Sequence, residues 1–259
     1  LAEGGVTRLT ATFHCRTPRT LGPVRSARLV DLQLTPMLEA WLVHVAASQP
    51  VTDMIWASPF ADRDIDEWAG DPAFYRIDQA PVGWLLTYTN GELIQGVIAS
   101  KENRDLPRPL RGWLFSEELA PGSDGAATGI YVPYSGGATS VSYRYDPGAR
   151  RYWRYQGQNA HMTQSDTHLA MDNVVVLFSE RTITPIVEDS LGNRSLHFKL
   201  HGEGRALLFR DGQVWDARWL REGENTLIRV VDGQGDVISF AVGQTAVQIV
   251  STDTVVTWE

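Results

Sequence analysis

Ala206-Leu207-Leu208-Phe209-Arg210-Asp211-Gly212-Gln213-Val214-Trp215 is the stretch that decides the fold. Asp-Gly supplies the positive backbone φ that a two-residue hairpin turn needs, and apolar runs flank it on both sides. The segment therefore reads as two antiparallel strands, and its surroundings read the same way. Upstream, residues 130–132, 141–145, 152–155 and 174–178 are strand-like runs, with Asp146-Pro147-Gly148 as a turn between two of them. Downstream, residues 227–231 and 237–240 flank a Gly-Gln-Gly loop, and 247–250 forms a further short run. Trp215 and Trp219 share one face at strand spacing, which suits core packing better than a sugar-stacking platform. No long helical period appears after Gly112, so residues 112–259 are expected to form a β-rich, antiparallel domain.

Residues 1–111 are patterned differently. Positions 8–16 alternate, with Leu9, Ala11, Phe13 and Cys15 on one face, and this predicts a strand. After Gly22-Pro23 a helix is expected from Val24 into the thirties. Residues 41–46 read as a buried strand, 51–56 as a helix and 62–71 as an acidic loop. Asn90 is a candidate N-cap for a helix carrying Leu93, Ile94, Val97 and Ile98, ending before Pro107. The first part is thus a mixed layer of helix and sheet, and the whole chain is α+β.

Bulk properties exclude some roles. The chain has 259 residues, a net charge of -8 and a pI near 5.3. It lacks the basic field that binds phosphate backbones, so no nucleic-acid partner is expected. Cys15 is the one cysteine, which rules out an intrachain disulfide. It lies on the apolar face of its expected strand, so it reads as a core residue. There is no Gly-x-Ser-x-Gly elbow. His161, Asp166, His168 and Asp172 lie close in sequence but match no recognised ligand spacing, so no metal is expected there, and no cofactor is implied elsewhere.

Ordered blocks along nearly the whole chain resemble the YerB-like family of bacterial extracytoplasmic proteins. In the first half these are Glu3-Gly4-Gly5-Val6-Thr7-Arg8, Gly22-Pro23-Val24-Arg25-Ser26-Ala27-Arg28, and Val43-His44 followed by Ser48. In the second half they are Tyr145-Asp146-Pro147 with Tyr152 and Arg154, Asn173-Val174-Val175-Val176, Gly202 to Ala206 leading to Asp211-Gly212, and Gly243-Gln244-Thr245. The resemblance implies an α+β fold in sheet and helix layers and a protein lipid-anchored outside the cytoplasmic membrane, by an anchor that this chain does not carry. It implies no catalytic residues. The chain departs from the family pattern at Pro81-Val82-Gly83, where Pro-His-Asn is usual, at Val45-Ala46-Ala47, where glycines are favoured, and at Ala246, where tryptophan is usual. The family also places a strand before the Glu-Gly-Gly block. A strand over residues 5–15 is therefore expected either to pair on both sides or to offer an edge to a second polypeptide, such as a separate N-terminal fragment.

Glu3, Arg8, Arg25, Arg28, His44 and Ser48 form the candidate ligand-binding set. Arg25 and Arg28 are three apart, hence on one face of the expected helix, beside an N-terminus that favours anions. His44 stands near the end of a buried strand, where α/β sheets place functional side chains. The structural alternative pairs Glu3 with one of the arginines and makes His44 a satisfied core histidine. Two functions follow. One is a non-catalytic cell-envelope module binding an anionic small molecule or glycan, or an envelope protein. The other is an envelope hydrolase or transferase acting on a phosphorylated glycan or lipid-linked precursor.

Overall fold

The computed structural model describes residues 10–13, 17–78, 86–101, 112–134, 139–163 and 165–259, and the backbone alone of 2–3 and 6–7. Two compact units divide the chain. One comprises Ala11–Arg111 with Thr182–His197; the other comprises Leu1–Thr10, Gly112–Arg181 and Phe198–Glu259. Relative to the expected split into 1–111 and 112–259, two segments fall on the other side: Leu1–Thr10 belongs to the second unit, and a β-hairpin from the second half of the sequence, Arg181–Val187 with Arg194–Phe198, lies almost wholly in the first.

The first unit is built around a short β-α-β crossover. Strand Leu42–His44 leads into helix α2, Gln49–Trp56, and returns through a 3-10 turn, Ala61–Arg63, to strand Asp64–Asp66, which pairs parallel to the first. Helix α1, Asp31–Leu38, precedes this crossover and helix α3, Gly91–Ser100, follows it. Ala27, Leu29, Leu42, Val51, Ile55 and Phe60 form one buried cluster; Ile65, Ala73 and Val97 form another. Asn90 caps α3 as expected, accepting from the Leu93 amide at 2.9 Å. Asn90→Ala should cost the unit about 1 kcal/mol in urea unfolding, because one orphan amide of the first turn loses its partner.

The helix expected from Val24 begins instead at Asp31. Residues 24–27 are held in extended form: the Val24 amide donates to Thr87 O at 2.8 Å, the Val45 amide to Arg25 O at 3.1 Å and the Ala27 amide to Ala46 O at 3.0 Å. These bonds to distant segments replace the i to i−4 bonds of a helix. Arg25 and Arg28 therefore do not share a helical face. The strand expected over residues 8–16 is also corrected. Ala2–Glu3 pairs with Val6–Thr7, but residues 10–13 lie outside any strand. Ala11 and Phe13 are exposed, so no layer buries the face their alternation would present. Residues 14–16, with Cys15, lie outside the described residues, as do 81–83 and 102–111. Of the strand expected over residues 5–15, Val6–Thr7 is formed and pairs with Ala2–Glu3, whereas residues 10–13 carry no ladder.

The second unit packs two sheets face to face. One runs in the order Asn159–Ala160, Arg151–Gln156, Val141–Asp146, Gly129–Val132, Thr257–Trp258; the other runs Arg229–Val231, Gln213–Arg221, Gly202–Arg210, Asn173–Ser179, Thr245–Ser251. Between them lie Ile130, Val132, Val141, Tyr143 and Tyr152 from the first sheet and Val174, Val176, Phe178, Leu207, Phe209 and Val214 from the second. The Asp211-Gly212 hairpin forms as read. Arg210 faces Gln213, and the two turn residues have φ of 52° and 74°. One pair departs from the antiparallel expectation: Asn173–Ser179 runs parallel to Thr245–Ser251. All seven residues of Asn173–Ser179 are buried, which suits its continuous apolar run.

Candidate functional site

The extended segment that carries Arg25 and Arg28 places them on the edge of the β-α-β crossover. Arg28 ends the segment. Its amide donates to Asp31 Oδ2 at 2.8 Å and its carbonyl accepts from the Asp31 amide at 2.9 Å, so the pair turns the chain into α1. The guanidinium of Arg28 is buried, donates from Nη1 to Ala27 O at 2.8 Å, and lies 3.3 Å from Glu188 Oε2. Glu188 comes from the hairpin supplied by the second half of the sequence. Its side chain is 6% exposed, yet neither carboxylate oxygen accepts a hydrogen bond among the described residues. Arg25 is half-buried, and burial together with the neighbouring charge of Arg28 lowers its pKa.

His44 closes the strand Leu42–His44 and is 2% exposed. Its Nε2 donates to Asp64 Oδ1 at 2.8 Å and its Nδ1 donates to Ala46 O at 2.8 Å. Asp66 Oδ1 stands 3.8 Å from Nδ1. Both ring nitrogens face acceptors, an arrangement that only the imidazolium satisfies at both ends. Burial by itself would lower the pKa of His44. The hydrogen bond to Asp64, the charges of Asp64 and Asp66 and the Ala46 carbonyl outweigh it and leave the pKa raised. Asp66 also fixes the loop before α2, accepting from the Ala46 amide at 2.7 Å and the Trp68 amide at 3.0 Å. Ala46 has φ of 56°, so the loop is held in a left-handed turn by these contacts. On the far side, Lys101 donates to Asp64 O and lies 3.6 Å from Asp71, whose Oδ2 accepts from the Asp66 amide at 3.0 Å.

The acidic stretch 62–71, expected to be a loop, thus contains the buried strand that supplies both partners of His44. Two acids in three residues suggested solvent; the signal missed was the period-2 alternation of Asp64-Ile65-Asp66, with Ile65 fully buried between them. Glu188 carried no local signal, because its partner lies in a distant part of the sequence.

Ser48 is the N-cap of α2, but its side chain makes no cap bond, and its buried Oγ has no partner among the described residues. Glu3 pairs through its backbone with Val6, and its side chain lies outside the described residues, as does the whole of Arg8. In the second unit, His161 and His168 both serve Arg154: His161 Nδ1 accepts from its guanidinium, and His168 Nε2 donates to its carbonyl at 2.7 Å. Burial, with the charges of Arg154 and His168, pushes His161 down to about 4. Asp172 lies 3.3 Å from Arg151, and Asp166 occupies a turn with φ of 53°.

Comparison with known proteins agrees with this frame. Residues 1–104 match the N-terminal domain, and residues 130–247 the C-terminal domain, of a family described as a protein of unknown function (DUF3048). A Bacillus subtilis (strain 168) protein named "Putative lipoprotein YerB" is 26% identical over 262 residues, covering 96% of this chain and 72% of that protein. The crystal structure of YerB from Bacillus subtilis superposes with a TM-score of 0.80 at 25% identity, over 99% of this chain and 84% of that one. The chain belongs to the YerB-like family. The α+β fold with a β-rich second part is thus that of the family. The family's description assigns no activity, and its Bacillus member is a lipoprotein by name only. No helix among the described residues is long and apolar enough to cross a membrane.

Proposed function

We propose that this YerB-like chain is a non-catalytic module of the cell envelope that holds an anionic group, phosphoryl or carboxylate, at Arg25 and Arg28. The observation that carries the reading is the closeness of two guanidiniums at the edge of the crossover, near enough for the charge of Arg28 to lower the pKa of Arg25, with Glu188 Oε2 3.3 Å from Arg28. Guanidiniums suit compact oxyanions, which accept their planar forks of donors in bidentate pairs. Ser48, on the loop that pairs with residues 25–27, adds a buried hydroxyl with spare hydrogen-bonding capacity. The location outside the cytoplasmic membrane rests on the name of the Bacillus relative.

The alternative, a hydrolase or transferase of the envelope, would need an acid or base free to meet substrate. His44 does not favour it, since both ring nitrogens are engaged by Asp64 and Ala46. In calorimetric titration with inorganic pyrophosphate, the wild-type chain is expected to bind, and Arg25→Gln to lose at least tenfold in affinity while remaining folded by circular dichroism. Equal affinity of the two proteins would count against the site.

A further inference from the structure

We propose that the second unit carries a separate binding site, a pocket between strands Asn173–Ser179 and Gly202–Arg210 that takes a single neutral sugar ring. It lies wholly within that unit and does not depend on the reading of Arg25 and Arg28.

The pocket begins as a gap in a sheet. The ladder between the two strands runs from Asn173 opposite Arg210 to Leu177 opposite Ala206 and stops there. Each strand stays paired on its other side, Ser179 with Ser251 and Gly202 with Arg221. Where they part, the indole of Trp219 spans the opening, its Nε1 donating to Phe178 O at 2.9 Å. Gly204 makes this possible, since a Cβ there would lie 2.5 Å from Nε1 and 2.7 Å from Phe178 O. The result is a cavity of about 180 Å³ whose apolar lining comes from Phe178 and Trp219, 4% and 1% exposed.

The rim is polar and held in place. On one side Arg205 donates from Nε and Nη2 to the two oxygens of Asp216, both at 3.0 Å, with its guanidinium 4.9 Å from the centre of the Phe178 ring. Beside it, Glu203 Oε2 accepts from Arg218 at 2.8 Å. On the other side the Lys199 amide donates to Glu180 O at 3.0 Å and the Ser179 hydroxyl to Lys199 O at 2.9 Å, which ties both charged residues to the strand end. Two carboxylates, Glu180 and Glu203, and two cations, Lys199 and Arg205, leave the rim without net charge, so it favours neither an anion nor a cation. The bonds to Asp216 use two of the five N–H donors of Arg205, and the bond from Arg218 uses one oxygen of Glu203. Donors thus stand beside acceptors, an arrangement that matches neighbouring hydroxyls, each able to donate once and accept twice. The C–H face of a sugar ring would meet Phe178 and Trp219 below. Size sets the limit: drug-sized ligands occupy roughly 300–1,000 Å³, so this cavity holds one ring and not an oligosaccharide.

Titration of the full chain with N-acetyl-D-glucosamine, with D-glucose and with the zwitterion glycylglycine tests this, the Trp219 Nε1–Hε1 resonance being followed by NMR. At least one sugar is expected to shift that resonance to saturation with millimolar affinity, and glycylglycine to leave it in place. Thr252→Phe, on the exposed rim, fills the pocket from outside and should abolish the shift. Arg205→Met keeps an apolar stem over Phe178 and should weaken binding at least fivefold. Both positions are exposed, so both variants should retain the circular dichroism of the wild type. If neither sugar moves the resonance, the gap is a packing feature only and the proposal fails. It fails equally if glycylglycine alone binds, which would make the site one for zwitterions. A sugar-induced shift that survives both substitutions unchanged would place the sugar elsewhere and also overturn it. None of these outcomes bears on Arg25 and Arg28.

Discussion

Asp64→Ala is expected to destabilise the first unit by about 3–5 kcal/mol, because it leaves the imidazolium of His44 buried without its main partner. Asp64 and His44 have side chains 8% and 3% exposed, so water does not readily take over the lost hydrogen bond. The loss should spread to the loop before α2, since Asp66 and Ala46 complete the same cluster. The cluster also sets a pH dependence whose sign follows from the raised pKa of His44. A group with a raised folded pKa binds protons more tightly when folded. Its contribution is complete below its unfolded pKa, roughly 6.5, and is lost as pH rises through the higher folded value. Urea unfolding of the wild type should therefore show stability falling across that window. His44→Gln should flatten the dependence there while lowering stability at acid pH. A wild-type profile that rises through the same window would contradict the assignment of a charged His44.

Phe209→Ala is expected to cost about 3–5 kcal/mol in the second unit. The ring is fully buried between the two sheets, meets Trp258 edge-on at 6.0 Å, and stands at the foot of the Asp211-Gly212 hairpin. Removing it leaves a cavity that Val174, its neighbour across the pair of strands, is too short to fill. Thermal unfolding followed by tryptophan fluorescence measures the effect, since Trp215 and Trp219 are both buried in this unit. A change smaller than about 1 kcal/mol would mean that the face-to-face packing is not the core.

What was legible in the sequence was whatever is decided within a few residues. Asp211-Gly212 dictates its turn because both residues must take positive φ; at Gly212 any side chain would also meet the Tyr145 ring, 2.7 Å from where its Cβ would lie. Asn90 caps α3 through a contact three residues away. The misreadings share the opposite cause. Residues 24–28 have no local reason to be extended; they are drawn out by Thr87, Val45 and Ala46. Asp64 and Asp66 look like surface acids until His44 and the backbone amides around Ala46 are seen to satisfy them. The candidate site shows the same split. Arg25, Arg28 and His44 were named from the sequence as candidates, although the arginines were placed on a helix that does not form. Their partners Glu188, Asp64 and Asp66 were not named, because long-range pairing assembles them.

The most direct test of the anion site observes the two guanidiniums themselves. Side-chain Nε–Hε resonances of Arg25 and Arg28, assigned through Arg25→Gln and Arg28→Gln, can be followed by NMR while inorganic pyrophosphate is added. Binding as described should shift both signals to saturation together, with the buried arginines Arg210 and Arg221 of the second unit unmoved. Signals of Arg25 and Arg28 that stay still, or that drift no more than those of exposed arginines such as Arg76, would contradict it.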